Sequence, residues 1–256
     1  IQLVGPEINQ FIPNPDSAYE AELERWLIEF LQVNGDLVDV VSFHRYPFPR
    51  EGINQLPSAD DLRRASEEWD ETIPYVRALI REHTGRDIPI GVTEANSSWA
   101  GSSGGETTLD SHLNAIWWGD SLGRMIREGV FMVQQFAIIG QFGLMDNYNP
   151  KPIYYVYKMY QGFGEQRLFA SSDVDLVSVY AAERADGALT IMLINRSGET
   201  QQVPLTIANG PPPGVAQAWL FDAEHAAEPV DDVQLGAESS LELPPDSMLL
   251  LVLASE

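Results

Sequence analysis

The sequence predicts an α/β chain in two parts: parallel βα units first, then an antiparallel β module. Three observations predict it. Up to about residue 166, short β-branched runs alternate with amphipathic stretches of roughly 10 to 25 residues. From residue 167 the helical stretches give way to alternating strand patterns divided by turn signals. The charge pattern changes at the same place, since residues 167–256 hold three arginines, no lysine and fourteen acidic residues. Two domains are therefore expected, 1–166 and 167–256.

In the first part, Ile1-Gln-Leu-Val-Gly-Pro6 is an apolar run broken by Gly-Pro and leads to Glu7. Asp16 or Ser17 can cap a helix, with Glu20 close behind and Leu23, Trp26, Leu27, Phe30 and Leu31 at helical spacing. Asn34-Gly35 ends it. Leu37 to Phe43 is apolar and β-branched, as a buried parallel strand should be. Ser58 or Asp60 opens a second helix running through Trp69, Ile73, Val76 and Ile80 to Gly85, with a kink expected at Pro74. Ile88 to Thr93 is a third strand. A Gly/Ser loop from Trp99 to Gly105 leads to a helix near Thr108 to Glu128, a fourth strand from Val130 to Ile139, and a helix near Ile153 to Gly162. In the second part, strands are expected at Val177, Ala188, Gln202, Val215 and Ser247. Asp186-Gly187 and Ser197-Gly198 mark hairpins, and Pro211 to Gly214 marks a loop.

Composition bounds the function. The chain has 256 residues, is 44% hydrophobic and contains no cysteine, so it can fill a core but offers no thiolate nucleophile, zinc–thiolate site or disulfide. Fifteen basic residues against 38 acidic ones give a net charge of −23. That field disfavours nucleic acid and anionic lipid as partners. No apolar run approaches the ~20 residues of a membrane helix. The four histidines (44, 83, 112 and 225) show no metal-ligand spacing, so neither metal nor cofactor is expected. No glycine-rich phosphate loop follows the first strand, and only four βα units can be read where an eight-stranded barrel needs eight. The chain starts at Ile1 on a strand pattern, so a fragment or processed piece is expected.

Two strand ends carry the candidate chemistry. In Pro89-Ile-Gly-Val-Thr-Glu94-Ala-Asn96 a lone glutamate closes an apolar strand, and alternation places Ile90, Val92 and Glu94 on one face. A carboxylate there is costly without a purpose or partner; the alternative is a cap for the next loop. In Phe43-His44-Arg45-Tyr46-Pro47, His44 and Tyr46 share a face. A tyrosine hydroxyl can hold a carboxylate nucleophile in place, and a histidine can bind a sugar hydroxyl; the alternative for both is core packing. Asn96 and Trp99 follow Glu94, and an exposed tryptophan there can stack on a sugar ring. Gln134 and Phe136 share a face of the fourth strand.

Taken in order, Gly5-Pro6, His44-Arg45-Tyr46-Pro47, Thr93-Glu94, Gly129-Val130 and Leu243-Pro244-Pro245-Asp246-Ser247 resemble the C-terminal half of the clan A retaining glycoside hydrolases. The resemblance is to the groups that hold β-xylosidases, α-L-iduronidases, arabinofuranosidases and certain endoglucanases. It covers nearly the whole chain and implies strands five to eight of a (β/α)8 barrel followed by a β-sandwich. It further implies Glu94 as nucleophile, Tyr46 orienting it, and His44, Asn96, Trp99, Gln134, Phe136 and Glu7 as substrate contacts. The clan's acid/base glutamate follows an asparagine on strand four, and no Asn-Glu pair occurs here. Glu7 falls on strand five, since only one strand separates it from that of Glu94. The implied acid/base therefore belongs to an N-terminal half supplied by a longer chain or a second polypeptide, with self-association as the alternative. The expected substrate is a poly- or oligosaccharide, and a polysaccharide would favour a secreted or periplasmic location. The rival expectation is an inactive carbohydrate-binding or structural remnant of such an enzyme.

Overall fold

A computed structural model describes residues 1–49, 56–100, 104–208, 214–236 and 238–255. The centre of the Gly/Ser loop (101–103) and the proline run (211–213) lie outside the described residues. The chain opens with β1 (Val4–Ile8), α1 (Ala18–Asn34), β2 (Val40–Arg45), α2 (Ala59–Ala65), a 3-10 turn (Ser66–Glu68), α3 (Trp69–Thr84), β3 (Ile90–Ala95), α4 (His112–Arg127) and β4 (Met132–Gln135). The four strands form one parallel sheet in the order β1-β2-β3-β4. Consecutive order without reversal is the winding of a βα barrel; a doubly wound sheet would reverse at a switch point.

Local chemistry sets the element ends. The Ser17 hydroxyl accepts from the Glu20 amide at 3.5 Å and caps α1. Ser58 and Asp61 cap α2 reciprocally. Gly85 ends α3 in the left-handed region, at φ 67°. The expected single helix through Pro74 is two helices. They divide at the 3-10 turn, while Pro74 sits inside α3. Side chains pin that turn: Arg45 grips Glu68 at 2.8 and 2.7 Å, and Ser66 donates to Asp120 at 2.6 Å. In α1 the buried stripe is Leu23, Leu27 and Leu31, whereas Trp26 is exposed.

The two faces of the parallel sheet differ. Val41, Phe43, Ile90 and Val92 join Leu27, Ile73, Val76 and Ile116 of the helices in one core. Val40, Gly91 and Met132 meet on the opposite face, where a Cβ on Gly91 would lie 3.2 Å from Val40 and 3.1 Å from Met132. The fourth strand is shorter than expected. After Gln135 the chain folds back, Ala137 donating to Phe142 and Gly140 to Met145, into the small ladder of β5 (Met145–Asp146) and β6 (Asn149–Pro150). Then comes α5 (Pro152–Gln161), which begins on proline, the residue whose missing N–H costs nothing at a helix start.

The rest is antiparallel: β7 (Gln166–Leu168), β8 (Val177–Glu183), β9 (Leu189–Asn195), β10 (Gln201–Thr206), β11 (Val215–Phe221), β12 (Ala226–Gln234), β13 (Glu238–Leu243) and β14 (Ser247–Leu253). A six-stranded sheet, β12-β11-β14-β9-β8-β7, faces the pair β10-β13 across a core of Leu193, Val203, Leu241 and Leu251. Asp186-Gly187 turns β8 into β9, with Gly187 at φ 82°. Ser197-Gly198 makes no hairpin, because β10 pairs with β13 and the chain crosses between sheets there. The sequence gives little sign of β12. Pro229, Asp231 and Asp232 sit on it, as suits an edge strand that must resist further pairing.

The outer face of the six-stranded sheet shares the first core, with Tyr180, Met192, Met248 and Leu250 joining Trp117, Trp118 and Met159. Asp120 lies at this junction, fully buried. It accepts from Ser66 at 2.6 Å, Arg124 at 2.7 Å and Tyr180 at 2.7 Å, and pairs with Arg196 at 3.2 Å. Burial alone would push its carboxyl up; Arg196 and Arg124 outweigh that and hold it well below the usual range. Replacing Asp120 by Asn should therefore cost about 3–5 kcal/mol at neutral pH. The contribution is present above the ordinary carboxylate value near pH 4 and is lost as pH falls through the depressed folded value. Urea melts of the two proteins should converge toward low pH. Beside it, a Cβ on Gly123 would lie 2.2 Å from the Tyr180 ring, whose hydroxyl is anchored on Asp120. Gly123→Ala should lose about 1–3 kcal/mol in the same melts, because the ring cannot yield.

Candidate active site

Two β-bulges shape the C-terminal edge of the parallel sheet. In β1 the register runs Pro6 to Ser42 and then Ile8 to Phe43, so Glu7 is an extra residue. Its φ of 64° is left-handed, a conformation costing roughly 1–2 kcal/mol for a residue with a Cβ. In β3 the register runs Val92 to Phe43 and then Glu94 to His44, so Thr93 is extra. Bulges re-aim side chains. The alternation expected to group Ile90, Val92 and Glu94 is thereby broken. Ile90 and Val92 pack on the helices, while Glu94 turns to the other face with Thr93.

Four predicted residues converge there. The Tyr46 hydroxyl donates to Glu94 Oε1 at 2.5 Å. His44 Nδ1 lies 3.7 Å from Glu94 Oε2, and its Nε2 lies 2.9 Å from Glu7 Oε2. Thr93 Oγ1 also donates to Glu7 Oε2. His44 and Tyr46 share a face as expected of β2, whose intervening residue, Arg45, turns back to Glu68. Burial, then the hydrogen bond to Glu94 and its charge, push the Tyr46 phenol far above its ordinary value. Tyr46 thus stays a donor, and Glu94 receives it on one oxygen only.

The other predicted residues stand apart. Asn96 is 1% exposed, and its amide is committed to Phe136 O at 2.7 Å and Phe142 O at 3.2 Å. Its Oδ1 accepts from the Ser97 amide at 2.9 Å. Asn96 therefore braces the β3 and β4 ends rather than facing a ligand, a correction to the expected substrate contact. Trp99 is 50% exposed, its amide held by Phe48 O at 3.1 Å. Gln134 is exposed at the end of β4, and Phe136 is 43% exposed with its ring 5.7 Å from that of Phe142. No hydrogen bond among the described residues joins Trp99, Gln134 or Phe136 to the Glu7–His44–Glu94–Tyr46 set.

Two contributors escaped sequence reasoning. Gln10, at φ 59° and 9% exposed, accepts from the Tyr46 amide at 2.9 Å. Gln135 holds Phe136 O and Phe142 O at 3.0 and 2.8 Å. Both act on backbone groups brought close by the fold, for which a lone glutamine carries no signal. Among the described residues, no group of three or more His, Asp or Glu is placed to hold a metal ion. Among the described residues, no helix is long and apolar enough to cross a membrane.

The arrangement invites comparison with known proteins. The family model for the D-apionate lactonase C-terminal immunoglobulin-like domain matches residues 175–245. A β-xylosidase of Geobacillus stearothermophilus is 24% identical over 212 residues, 72% of this chain and 40% of that protein. Heparanase-like protein 1 of Arabidopsis thaliana is 26% identical over 207 residues, 77% of this chain and 36% of that protein. The crystal structure of CelM2, a bifunctional glucanase-xylanase from a metagenome library, superposes with a TM-score of 0.74 at 26% identity, over all of this chain and 56% of that one. The chain thus spans well under half the length of these curated relatives. The resemblance to the C-terminal half of clan A glycoside hydrolases stands, and the fold is the second half of a (β/α)8 barrel followed by a β-sandwich.

The Tyr46 geometry has a direct spectroscopic test. In an alkaline titration, phenolate absorbance developing up to pH ~10 should be the same in the native protein and in Tyr46→Phe, because Tyr46 is not ionised there.

Proposed function

We propose that this chain carries the nucleophile half of a retaining glycoside hydrolase site. The supporting observation is the Tyr46 hydroxyl on Glu94 Oε1, at the strand ends where barrel enzymes gather their chemistry. With one oxygen held, Glu94 Oε2 attacks the anomeric carbon. The C–O bond to the leaving group breaks as the glycosyl ester forms, and a general acid protonates the departing oxygen. The same acid, now a base, takes a proton from water, which cleaves the ester and frees Glu94. Tyr46 stabilises the carboxylate each time it is released, and His44 borders it.

The general acid is assigned to the first half of the barrel. Glu7 Oε2 already accepts from Thr93 and faces His44, which ties that carboxylate to its neighbours. β1 and β4 end the sheet, and strands one to four would pair with those two edges. Trp99 and Phe136, partly exposed on loops at the same end, would offer apolar faces to the substrate, and Gln134 a polar contact. The substrate class is a poly- or oligosaccharide.

The test is covalent trapping. The chain, alone and joined to the first four strands, is incubated with activated 2-fluoro glycosides, whose leaving groups barely need a general acid. An added glycosyl mass mapping to Glu94 is expected. In the joined protein Glu94→Gln should lower turnover by at least about a thousandfold. Turnover unchanged by Glu94→Gln, or an adduct on another residue, would remove Glu94 from the mechanism.

A further inference from the structure

The two bulges meet each other. Glu7 is the extra residue of β1 and Thr93 the extra residue of β3, and their side chains bond in front of the intervening strand β2. Both stand beside His44, whose ring separates two carboxylates: Glu7 on Nε2 at 2.9 Å and Glu94 on Nδ1 at 3.7 Å. A carboxylate only accepts, so the 2.9 Å contact requires a proton on Nε2, in the neutral ring as in the imidazolium. In the neutral ring, a proton on Nε2 leaves Nδ1 as the acceptor. We infer that Glu7 is a positioning residue for Glu94, acting through His44: it keeps the ring proton on Nε2, so that Nδ1 turns a lone pair toward Glu94 Oε2.

The consequence concerns the attacking oxygen. Were the proton on Nδ1, His44 would donate toward Oε2 and draw charge from it. With the proton on Nε2, two acceptors face each other at 3.7 Å and form no bond. Tyr46 is then the hydroxyl donor on Glu94 Oε1, and Oε2 retains its lone pairs. Thr93 completes the device by fixing the Glu7 oxygen that His44 meets. A left-handed residue with a Cβ persists where its surroundings hold it, and at Glu7 those surroundings are Thr93 and His44. This inference rests on Glu94 as the nucleophile, yet the histidine state can be read without any catalysis.

The experiment is nitrogen-15 NMR of the imidazoles in the chain as it stands, with His44 assigned by its loss in His44→Asn. Native His44 should carry its proton on Nε2. In Glu7→Gln, which keeps the shape and can donate to Nε2, the proton should move to Nδ1. In the chain joined to the first four strands, the rate of Glu94 labelling by a 2-fluoro glycoside should then fall roughly tenfold, at an unchanged half-saturating concentration. A merely structural Glu7 would change the melting temperature and leave the tautomer alone. A native proton on Nδ1, or a tautomer and labelling rate unchanged in Glu7→Gln, would overturn the inference. If native protein is never labelled, the nucleophile assignment fails, while the spectra still decide whether Glu7 sets the state of His44.

Discussion

The buried carboxylate of Asp120 is the constraint on which the rest depends. It sits on α4, between the parallel sheet and the sandwich, and its four partners come from four places: the turn after α2, α4 itself, β8 and the end of β9. An unpaired charge at that depth would be untenable. The elements therefore dock in one arrangement that satisfies it, and α4 is fixed relative to both sheets. The large apolar residues around it, Trp117, Trp118, Met248 and Leu250, supply the area that drives docking. They would tolerate several packings; the ion cluster selects one.

From that frame the cleft is positioned by smaller devices. Strands in a parallel sheet alternate strictly, which would send Glu94 to the helix side along with Ile90 and Val92. One additional residue in β3 reverses this, and one in β1 does the same for Glu7. Buried side chains without ligand-facing roles then lock the strand ends. Gln10 holds the Tyr46 backbone, Asn96 holds the loop after β4, and Arg45 ties the back of β2 to Glu68. Glu7, His44 and Glu94 stay part-exposed while Tyr46 and the residues behind them are buried.

Much of this was legible in the sequence. Ser17, Ser58 and Gly85 are local signals acting within one turn of chain: Ser17 opens α1, Ser58 opens α2 and Gly85 closes α3, although the last two were expected to bound one helix. The face shared by His44 and Tyr46 followed from period-two alternation in an uninterrupted strand. What escaped was nonlocal. The division of the helix before Trp69 depends on Arg45, Asp120 and Arg196, none of them nearby in sequence. β12 hid behind the acidic residues and proline that protect an edge. Bulges are invisible to a reading that assumes alternation, and so Glu94 was expected on the right strand end by a face argument that does not hold.

The paired bulges also bear on what one residue adds to such a site. Excising Thr93 would restore alternation with Glu94 still opposite His44 on the cleft side, and with every hydrophobic position of the strand kept; what would go is the hydroxyl that holds Glu7. The extra residue thus adds a second polar side chain to the cleft beside the glutamate, with no demand on the core. A relative that aligns with this glutamate but has a gap at the residue before it keeps the carboxylate in its cleft and loses the hydroxyl that holds the neighbouring strand's glutamate.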